Sequence, residues 1–237
     1  MSAENVFTKD NLDFYLRELA KVYRKLNGKG IKAEIVLVGG AAILTNYGFR
    51  EMTTDIDAVI QASGAMKDAI NRVADKYGLP NGWLNADFRS TASYTPSLSL
   101  HSDYVATRSN VLEIRTVSGE YLIAMKLVSG RRYKADLSDI VGVLLEHKQA
   151  GKPINFEMID RAMVELYGSW EKVDDYSKAL LEKALASADL RTLFETQMNE
   201  ESSAKETILE IDHKYPGTVN ADNINDIIEM ARKKKKQ

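Results

Sequence analysis

The chain has 237 residues, of which 44% are hydrophobic and 28% charged, enough for one large domain or two small ones. Lys and Arg number 32 against 34 Asp and Glu, and the net charge of −2 argues against binding nucleic acid over the whole surface, leaving only a local basic groove. The absence of cysteine excludes disulfides, thiol catalysis and Cys-based zinc sites. The N-terminal stretch lacks a signal-peptide pattern and no apolar run is long enough to span a bilayer, so we expect a cytoplasmic protein without membrane association.

The first half of the chain alternates predicted helices and strands. Hydrophobic periodicity, β-branched runs and Gly or Pro stop signals predict the following elements: a helix over Thr8–Asn27, a strand over Ile35–Val38, a turn at Gly39-Gly40, a short helix over Ala41–Tyr47, a strand over Asp55–Gln61 and a helix over Ala65–Tyr77. Between residues 81 and 110 the signal is weak, and it predicts only short strands and loops with aromatic anchors.

The second half reads as one further strand and then helices. The expected elements are a strand over Val111–Arg115 and helices over about Ser118–Ser129, Leu137–His147, Phe156–Tyr167, Glu171–Ala186, Leu190–His213 and Asp222–Arg232. The Gly151-Lys152-Pro153 break predicts a boundary between a domain over residues 1–150 and a helical domain over residues 151–237. The helical domain ends in a basic tail, Lys233–Lys236.

Asp55 and Asp57 form the most informative polar pattern. Residues two apart on a strand point to the same face, so both carboxylates project together while Ile56 faces the opposite side. Two like charges about 4 Å apart repel by roughly 4 kcal/mol at an effective dielectric constant of about 20, so the pair calls for a proton or a cation between the carboxylates. A solvated strand-end pair is the simpler alternative. The sequence has neither a P-loop nor a dinucleotide-binding fingerprint.

The glycine pair and the aspartates together resemble a known signature. Gly39-Gly40 followed by Thr54-Asp55-Ile56-Asp57 resembles the DNA polymerase β-type nucleotidyltransferases, in which a small-residue pair precedes Asp-hydrophobic-Asp. The segment YLIAMKLVSGRRYKADLSDI, residues 121–140, resembles the Lys-Leu…Arg…Asp-x-x-Asp region of the AbiEii-like branch, which includes toxins of some bacterial toxin–antitoxin and abortive-infection systems. The resemblance covers about residues 30–145. It implies an α/β fold with a mixed sheet flanked by helices, followed by a small all-helical domain.

The resemblance also implies roles for individual residues. Asp55 and Asp57 match the metal-binding carboxylates, Gly39 and Gly40 match the turn whose amides face the triphosphate, and Lys126 matches a helix lysine that reaches a phosphate. The remaining candidates are Thr54 and Arg50 near the nucleotide, Arg131 and Arg132 as phosphate contacts, Asp136 and Asp139 as the following acidic pair, and Glu113 as a third catalytic and metal-binding carboxylate.

Several of these residues have competing structural roles. Glu113 shares a strand face with Arg115 and could equally form an exposed ion pair with it. Lys126 could extend from an apolar helix to solvent. Arg131 and Arg132, with Lys134, could pair with the nearby aspartates. Where many relatives have Gly-Ser, this chain has Gly-Gly-Ala, which leaves only backbone contacts to phosphate.

The implied activity is Mg²⁺-dependent transfer of a nucleoside monophosphate from a nucleoside triphosphate to a hydroxyl acceptor. Carboxylates, phosphate oxygens and water suit Mg²⁺, and up to two ions would stabilise the attacking and leaving oxygens. The resemblance favours RNA, such as tRNA, as acceptor and a cognate antitoxin as partner. The alternative is a catalytically silent nucleotide- or partner-binding protein with the same fold, which an incomplete set of three carboxylates would favour.

Overall fold

The computed structural model describes residues 6–220 and 223–235. Within these ranges the elements are α1 (Lys9–Asn27), β1 (Ala33–Leu37), α2 (Gly39–Asn46), β2 (Ile56–Gln61), α3 (Ala65–Tyr77), β3 (Leu84–Asn85), β4 (Ser102–Arg108), β5 (Leu112–Val117), α4 (Gly119–Ser129), α5 (Asp136–Gln149), α6 (Phe156–Tyr167), α7 (Asp175–Ala186), α8 (Leu190–Lys214) and α9 (Ile224–Lys235). Short 3₁₀ helices cover Asp87–Ser90 and Pro96–Leu100. The side chains of the predicted basic tail lie outside the described part of the chain.

The five strands form one mixed sheet in the order β3-β2-β1-β5-β4. The central strand β1 is antiparallel to β2 and parallel to β5, while β3 is parallel to β2 and β4 is antiparallel to β5. A mixed sheet flanked by helices confirms the predicted fold class. Because β1 and β5 run against β2, the ends of β1 and β5 and the start of β2 share one edge of the sheet.

The two faces of the sheet differ in chemistry. Ile56 and Leu84, paired in register, lie in the hydrophobic core with Ile35, and α1 and α3 contribute to this core. The next paired positions, Asp57 and Asn85, therefore project from the opposite face, because side chains alternate along a strand. The apolar positions of β2 thus determine the direction of Asp57.

Local signals fix the ends of several helices. Thr8 caps α1 through its hydroxyl, which accepts from the N–H of Asn11, and Gly28 follows its last residue with φ of 80°. Helix α3 has the predicted bounds and is followed by Gly78 in the left-handed conformation. Helix α2 begins two residues earlier than predicted, so the expected glycine turn, Gly39-Gly40, forms its first two residues.

The chain divides into two compact units, one of residues 1–125 with 162–168 and one of residues 126–161 with 169–237. The division falls within α4 rather than at the expected 150/151 boundary, so that domain boundary stays a prediction. In the second unit, α5 packs against α7 and α8, and α9 packs against α8. None of the helices in the described ranges has the length and apolarity needed to cross a membrane.

A buried carboxylate on α8 holds the start of α5. Glu201 is 4% exposed, and its Oε1 accepts from the N–H groups of Leu137 at 2.8 Å and Ser138 at 3.2 Å. These amides lie in the first turn of α5, where no intrahelical acceptor exists. Burial raises the pKa of Glu201 to about 8, although these hydrogen bonds oppose the shift.

We therefore predict that Glu201 makes the stability of the protein depend on pH. From its ordinary pKa of 4.5 up to about 8, the folded state retains a proton that the unfolded chain releases, so the free energy of unfolding falls as pH rises through this window. The contribution is on the order of a few kcal/mol. Glu201→Gln keeps an acceptor oxygen but cannot ionise, so thermal melts between about pH 5 and 8 should show a shallower decline.

Glu195→Gln is the matched control, because Glu195 lies exposed on the same helix. Its melts should follow the wild-type pH dependence. Equal slopes for the wild type and Glu201→Gln would contradict the assignment.

Candidate active site

The site begins where β1 passes into α2. Gly39 has φ of 53°, a left-handed conformation that side-chain-bearing residues rarely adopt. Val38 is the N-cap of α2, and no side chain caps the first amides of this helix. Amides at a helix start favour negative charge, so this turn has the polarity that a phosphate group requires.

Gly40 lies in close contact with the loop before β2. A Cβ at Gly40 would lie 2.7 Å from Oγ1 of Thr53 and 3.0 Å from Nη1 of Arg50. The first distance is shorter than real Cβ contacts allow and the second is tight, so the absence of a side chain lets Thr53 lie against the start of α2. Arg50, the candidate nucleotide contact, therefore lies beside Gly40.

The two aspartates lie at the same edge. The N–H of Val38 donates to the carbonyl oxygen of Asp57 at 3.0 Å, and Asp57 Oδ2 lies 4.0 Å from the position that a Cβ on Gly39 would occupy. Asp55 immediately precedes β2 and is exposed, while Asp57 within the strand is half-buried. The structure thus brings Gly39, Gly40 and both predicted carboxylates together.

Thr53 is a site residue that the sequence analysis missed. Its Oγ1 donates to Asp55 at 3.2 Å and lies against Gly40, and its backbone pairs with Phe7. Thr54, the predicted nucleotide contact, is exposed in the bend that follows. The signature pointed to Thr54 alone, whose nucleotide contact stays a prediction, and no local pattern marks Thr53 as the buried threonine of the pair.

Glu113 is not brought to the aspartates. Glu113 on β5 lies opposite Glu34 of β1, whereas Asp57 on β2 lies opposite Val38. Glu34 and Val38 are four residues apart, so Glu113 and Asp57 are separated by about 13 Å along the strand direction. Its carboxylate instead accepts from Arg115 at 2.7 Å. Residues 6–220 and 223–235 contain no group of three Asp, Glu or His side chains placed to hold a metal ion. The geometry therefore offers no support for Glu113 as the third carboxylate.

Lys126 is engaged by the acidic pair that follows it. Its Nζ lies 2.7 Å from Oδ1 of Asp136 and 2.8 Å from Oδ2 of Asp139, and all three side chains are almost fully buried. Burial by itself raises the pKa of Asp136, but Lys126 and Arg131 outweigh it and hold that pKa well below its usual range. These contacts establish a structural role for Lys126. Its phosphate role stays a prediction.

The basic connector is likewise paired within the second unit. Arg131 contacts both carboxylate oxygens of Asp136, at 2.6 and 3.1 Å. Arg132 donates to Glu229 at 2.8 Å and to Asp174 at 3.3 Å. Its guanidinium also lies over the ring of Tyr176 at 4.3 Å. Arg131 thus pairs with a nearby aspartate, as the alternative interpretation predicted, whereas Arg132 pairs with two more distant acidic residues instead.

A glycine turn beside an Asp-x-Asp pair on a mixed sheet is the arrangement expected of a nucleotidyltransferase. A family model described as "Nucleotidyltransferase of unknown function (DUF6036)" matches residues 15–179, more than two thirds of the 237 residues. The chain belongs to this family, and the matched range contains the whole glycine–aspartate site. Comparison with curated proteins and with solved structures found no match.

We predict that Gly40→Ala destabilises the protein and weakens nucleotide binding. The new Cβ would lie 2.7 Å from Thr53 Oγ1, and relieving such overpacking costs about 1–3 kcal/mol. Gly64→Ala is the control, because Gly64 has right-handed φ of −54° and nothing lies within 4 Å of its added Cβ. Denaturant unfolding of both variants, with and without nucleotide, measures the effect. A Gly40→Ala protein as stable as Gly64→Ala would refute the close contact.

For Lys126 we predict a loss of stability. Lys126→Met leaves Asp136 and Asp139 buried without an ammonium group, and an unpaired buried charge costs about 3–5 kcal/mol. Adding Asp139→Asn should recover part of the loss. Competition binding by nucleoside, monophosphate and triphosphate on the folded variants tests the phosphate role, which requires a selective loss of triphosphate affinity.

Proposed function

We propose that this protein transfers a nucleoside monophosphate from a nucleoside triphosphate to a hydroxyl acceptor, with Mg²⁺ bound by Asp55 and Asp57. The observation that carries the proposal is the position of Asp57 Oδ2, 4.0 Å from the Cβ position of Gly39. It puts a carboxylate beside an uncapped helix start, so one small volume contains groups suited to metal and to phosphate.

The residues present fit one magnesium ion. Mg²⁺ is usually held by one or two carboxylates together with substrate phosphates and water. Asp55 and Asp57 would supply the two carboxylates, and the first amides of α2, which no side chain caps, would face the phosphate oxygens. Bound there, the ion would offset the charge that develops on the reacting phosphate. A second ion would need a ligand from the substrate.

The chain's own groups would orient the substrate. The first amides of α2 and the guanidinium of Arg50 face the same turn and would hold the triphosphate by charge-assisted hydrogen bonds. Thr53 fixes the Asp55 carboxylate through its hydroxyl. The acceptor oxygen then forms a bond to the α-phosphorus as the bond to pyrophosphate breaks and the hydroxyl proton is released. Positioning and electrostatic stabilisation supply the rate enhancement.

The finer part of the proposal is a toxin-like reaction on RNA. It rests on the resemblance of residues 121–140 to the AbiEii-like branch. In this reaction the acceptor would be an RNA end, such as that of tRNA, and the partner protein would be an antitoxin. Incubating the protein with labelled nucleotides, Mg²⁺ and total RNA, and separately with hydroxyl-bearing metabolites such as aminoglycosides, tests the acceptor. Label confined to a small molecule would overturn RNA and leave nucleotidyl transfer in place.

A catalytically silent binding protein is the second candidate. The observation in its favour is that the described residues contain no cluster of three metal-binding side chains. A binder would gain stability from nucleotide with Mg²⁺ but would release no pyrophosphate. A pyrophosphate-release assay on the wild-type protein separates the two candidates.

We predict that Asp55→Asn and Asp57→Asn each abolish transfer and leave the fold intact. Removing one of two neighbouring carboxylates relieves repulsion, so the melting temperature without ligand should be unchanged or slightly raised. The stabilisation by Mg²⁺ and nucleotide should disappear. Glu113→Gln is the control and should retain transfer, because Glu113 lies about 13 Å along the sheet from Asp57. Undiminished ligand-induced stabilisation in both aspartate variants would refute the metal site.

A further inference from the structure

A second polar feature lies at the opposite edge of the sheet from the aspartates. There the C-terminal end of α1, the residues leading into β1 and the turn between β4 and β5 line an open, shallow groove of about 470 Å³. Its lining comprises Lys21, Arg24, Lys25, Gly28, Lys29 and Ser109. Four of these six residues are cationic and none is acidic.

The sequence places these cations together through the helical period. Arg24 and Lys25 follow Lys21 by three and four residues and therefore lie on the same side of α1 as Lys21, and Gly28 follows the last residue of the helix. The opposite wall is the turn at Ser109 and Asn110, whose positive φ values of 51° and 58° suit a tight hairpin. Nη1 of Arg24 lies 3.5 Å from the Ser109 carbonyl oxygen and links the two walls.

The charge of the groove is not neutralised by the protein. Within the described ranges, no carboxylate pairs with Arg24, Lys25 or Lys29. Lys21 pairs with Glu18 at 2.6 Å, but Glu18 also accepts from Lys76 at 2.9 Å, so one carboxylate serves two ammonium groups. Hydrogen bonds from Lys21, Tyr77 and Lys76 lower the pKa of Glu18 to about 2, which keeps it charged. The groove therefore retains a net positive charge, although the chain carries −2.

A simpler role for two of these residues is to stabilise α1. Arg24 and Lys25 lie in the last turn, where cations interact favourably with the helix dipole by about 0.3–1 kcal/mol each. Lys29 lies beyond the helix and Lys21 lies before the last turn, so the dipole does not account for either. A cleft lined by one sign of charge also concentrates a field that attracts anions.

We propose that this groove binds the sugar–phosphate backbone of a nucleic-acid strand and so holds the acceptor of the transfer reaction. That the bound strand is the acceptor rests on the proposed function. That the groove binds a nucleic-acid strand rests on the groove alone. From Ala33 to Val38 the backbone spans about 17 Å, so the groove and the aspartates lie at least about that far apart along the strand direction. A nucleic-acid strand anchored in the groove therefore has to extend over several nucleotides to reach the aspartates.

The first experiment measures binding without Mg²⁺ or nucleoside triphosphate. The affinity for a labelled single-stranded RNA is measured against salt for the wild type and for the triple variant Arg24→Gln, Lys25→Gln, Lys29→Gln. Three lost phosphate contacts should reduce the slope of log K against log salt by about 2. The matched control is Arg191→Gln, Lys183→Gln, Lys205→Gln, which removes one Arg and two Lys from exposed positions on α7 and α8.

The control should keep the wild-type slope, and a DNA strand of the same sequence shows whether the sugar matters. An unchanged slope in the groove variant, an equal change in the control, or equal binding of inorganic polyphosphate would overturn the proposal. Thermal melts of the groove variant distinguish a loss of helix stability from a loss of phosphate contacts. A loss of helix stability alone would leave the slope of log K against log salt unchanged.

A second measurement separates this proposal from the proposed function. In the transfer assay, the groove variant should lower the ratio of transfer to a long RNA over transfer to a dinucleotide several-fold. Asp55→Asn should bind RNA with wild-type affinity while transferring nothing. Salt-dependent RNA binding through the groove without any nucleotidyl transfer would refute the proposed transferase activity and support the groove. Transfer with an unaltered ratio would support the transferase activity and refute the role of the groove.

Discussion

The hydrogen bond from the Val38 N–H to the Asp57 carbonyl oxygen, 3.0 Å long, is the constraint on which the candidate site depends. It is the last step of antiparallel pairing between β1 and β2, and α2 begins at the next residue, Gly39. The start of α2 and the start of β2, which carries Asp57, are therefore held side by side. Gly40 completes the arrangement, because the absence of a Cβ allows Thr53 to lie directly against it.

Burial distinguishes the acidic residues of the second unit from the two candidate aspartates. In the second unit, Lys126 and Arg131 converge on Asp136, whose side chain is 1% exposed, so those cations offset a charge that the fold has removed from water. Asp55 is exposed and Asp57 is half-buried, so both carboxylates keep access to solvent. Ion pairs thus account for the positions of the connector arginines.

The distribution of charge explains how a slightly acidic chain can hold a basic groove. Acidic residues of α1 occupy its earlier turns, where Asp13 pairs with Arg17 and Arg108. The basic residues collect at its end, beside the turn at Ser109. The net charge of −2 averages over both regions, so it constrains neither of them.

Local sequence signals were sufficient for several elements. The hydroxyl of Thr8 and the backbone freedom of Gly28 set the ends of α1, and Leu112 and Ile114 alternate with more exposed neighbours as their period of two requires. The bounds of α3 and α6 are those predicted. In each case the governing interaction spans only a few residues.

The sequence by itself indicated the class of protein and singled out the two aspartates as candidates, because the glycine pair and the Asp-x-Asp run form one continuous strand–helix–strand unit. Only the tertiary structure decided the rest. The register between β1 and β5 separates Glu113 from Asp57, and burial places Thr53 rather than Thr54 against Gly40. The groove needs a helix end to meet a hairpin turn about eighty residues later. Pairing and burial join distant segments, and no periodicity in the sequence records which segments they join.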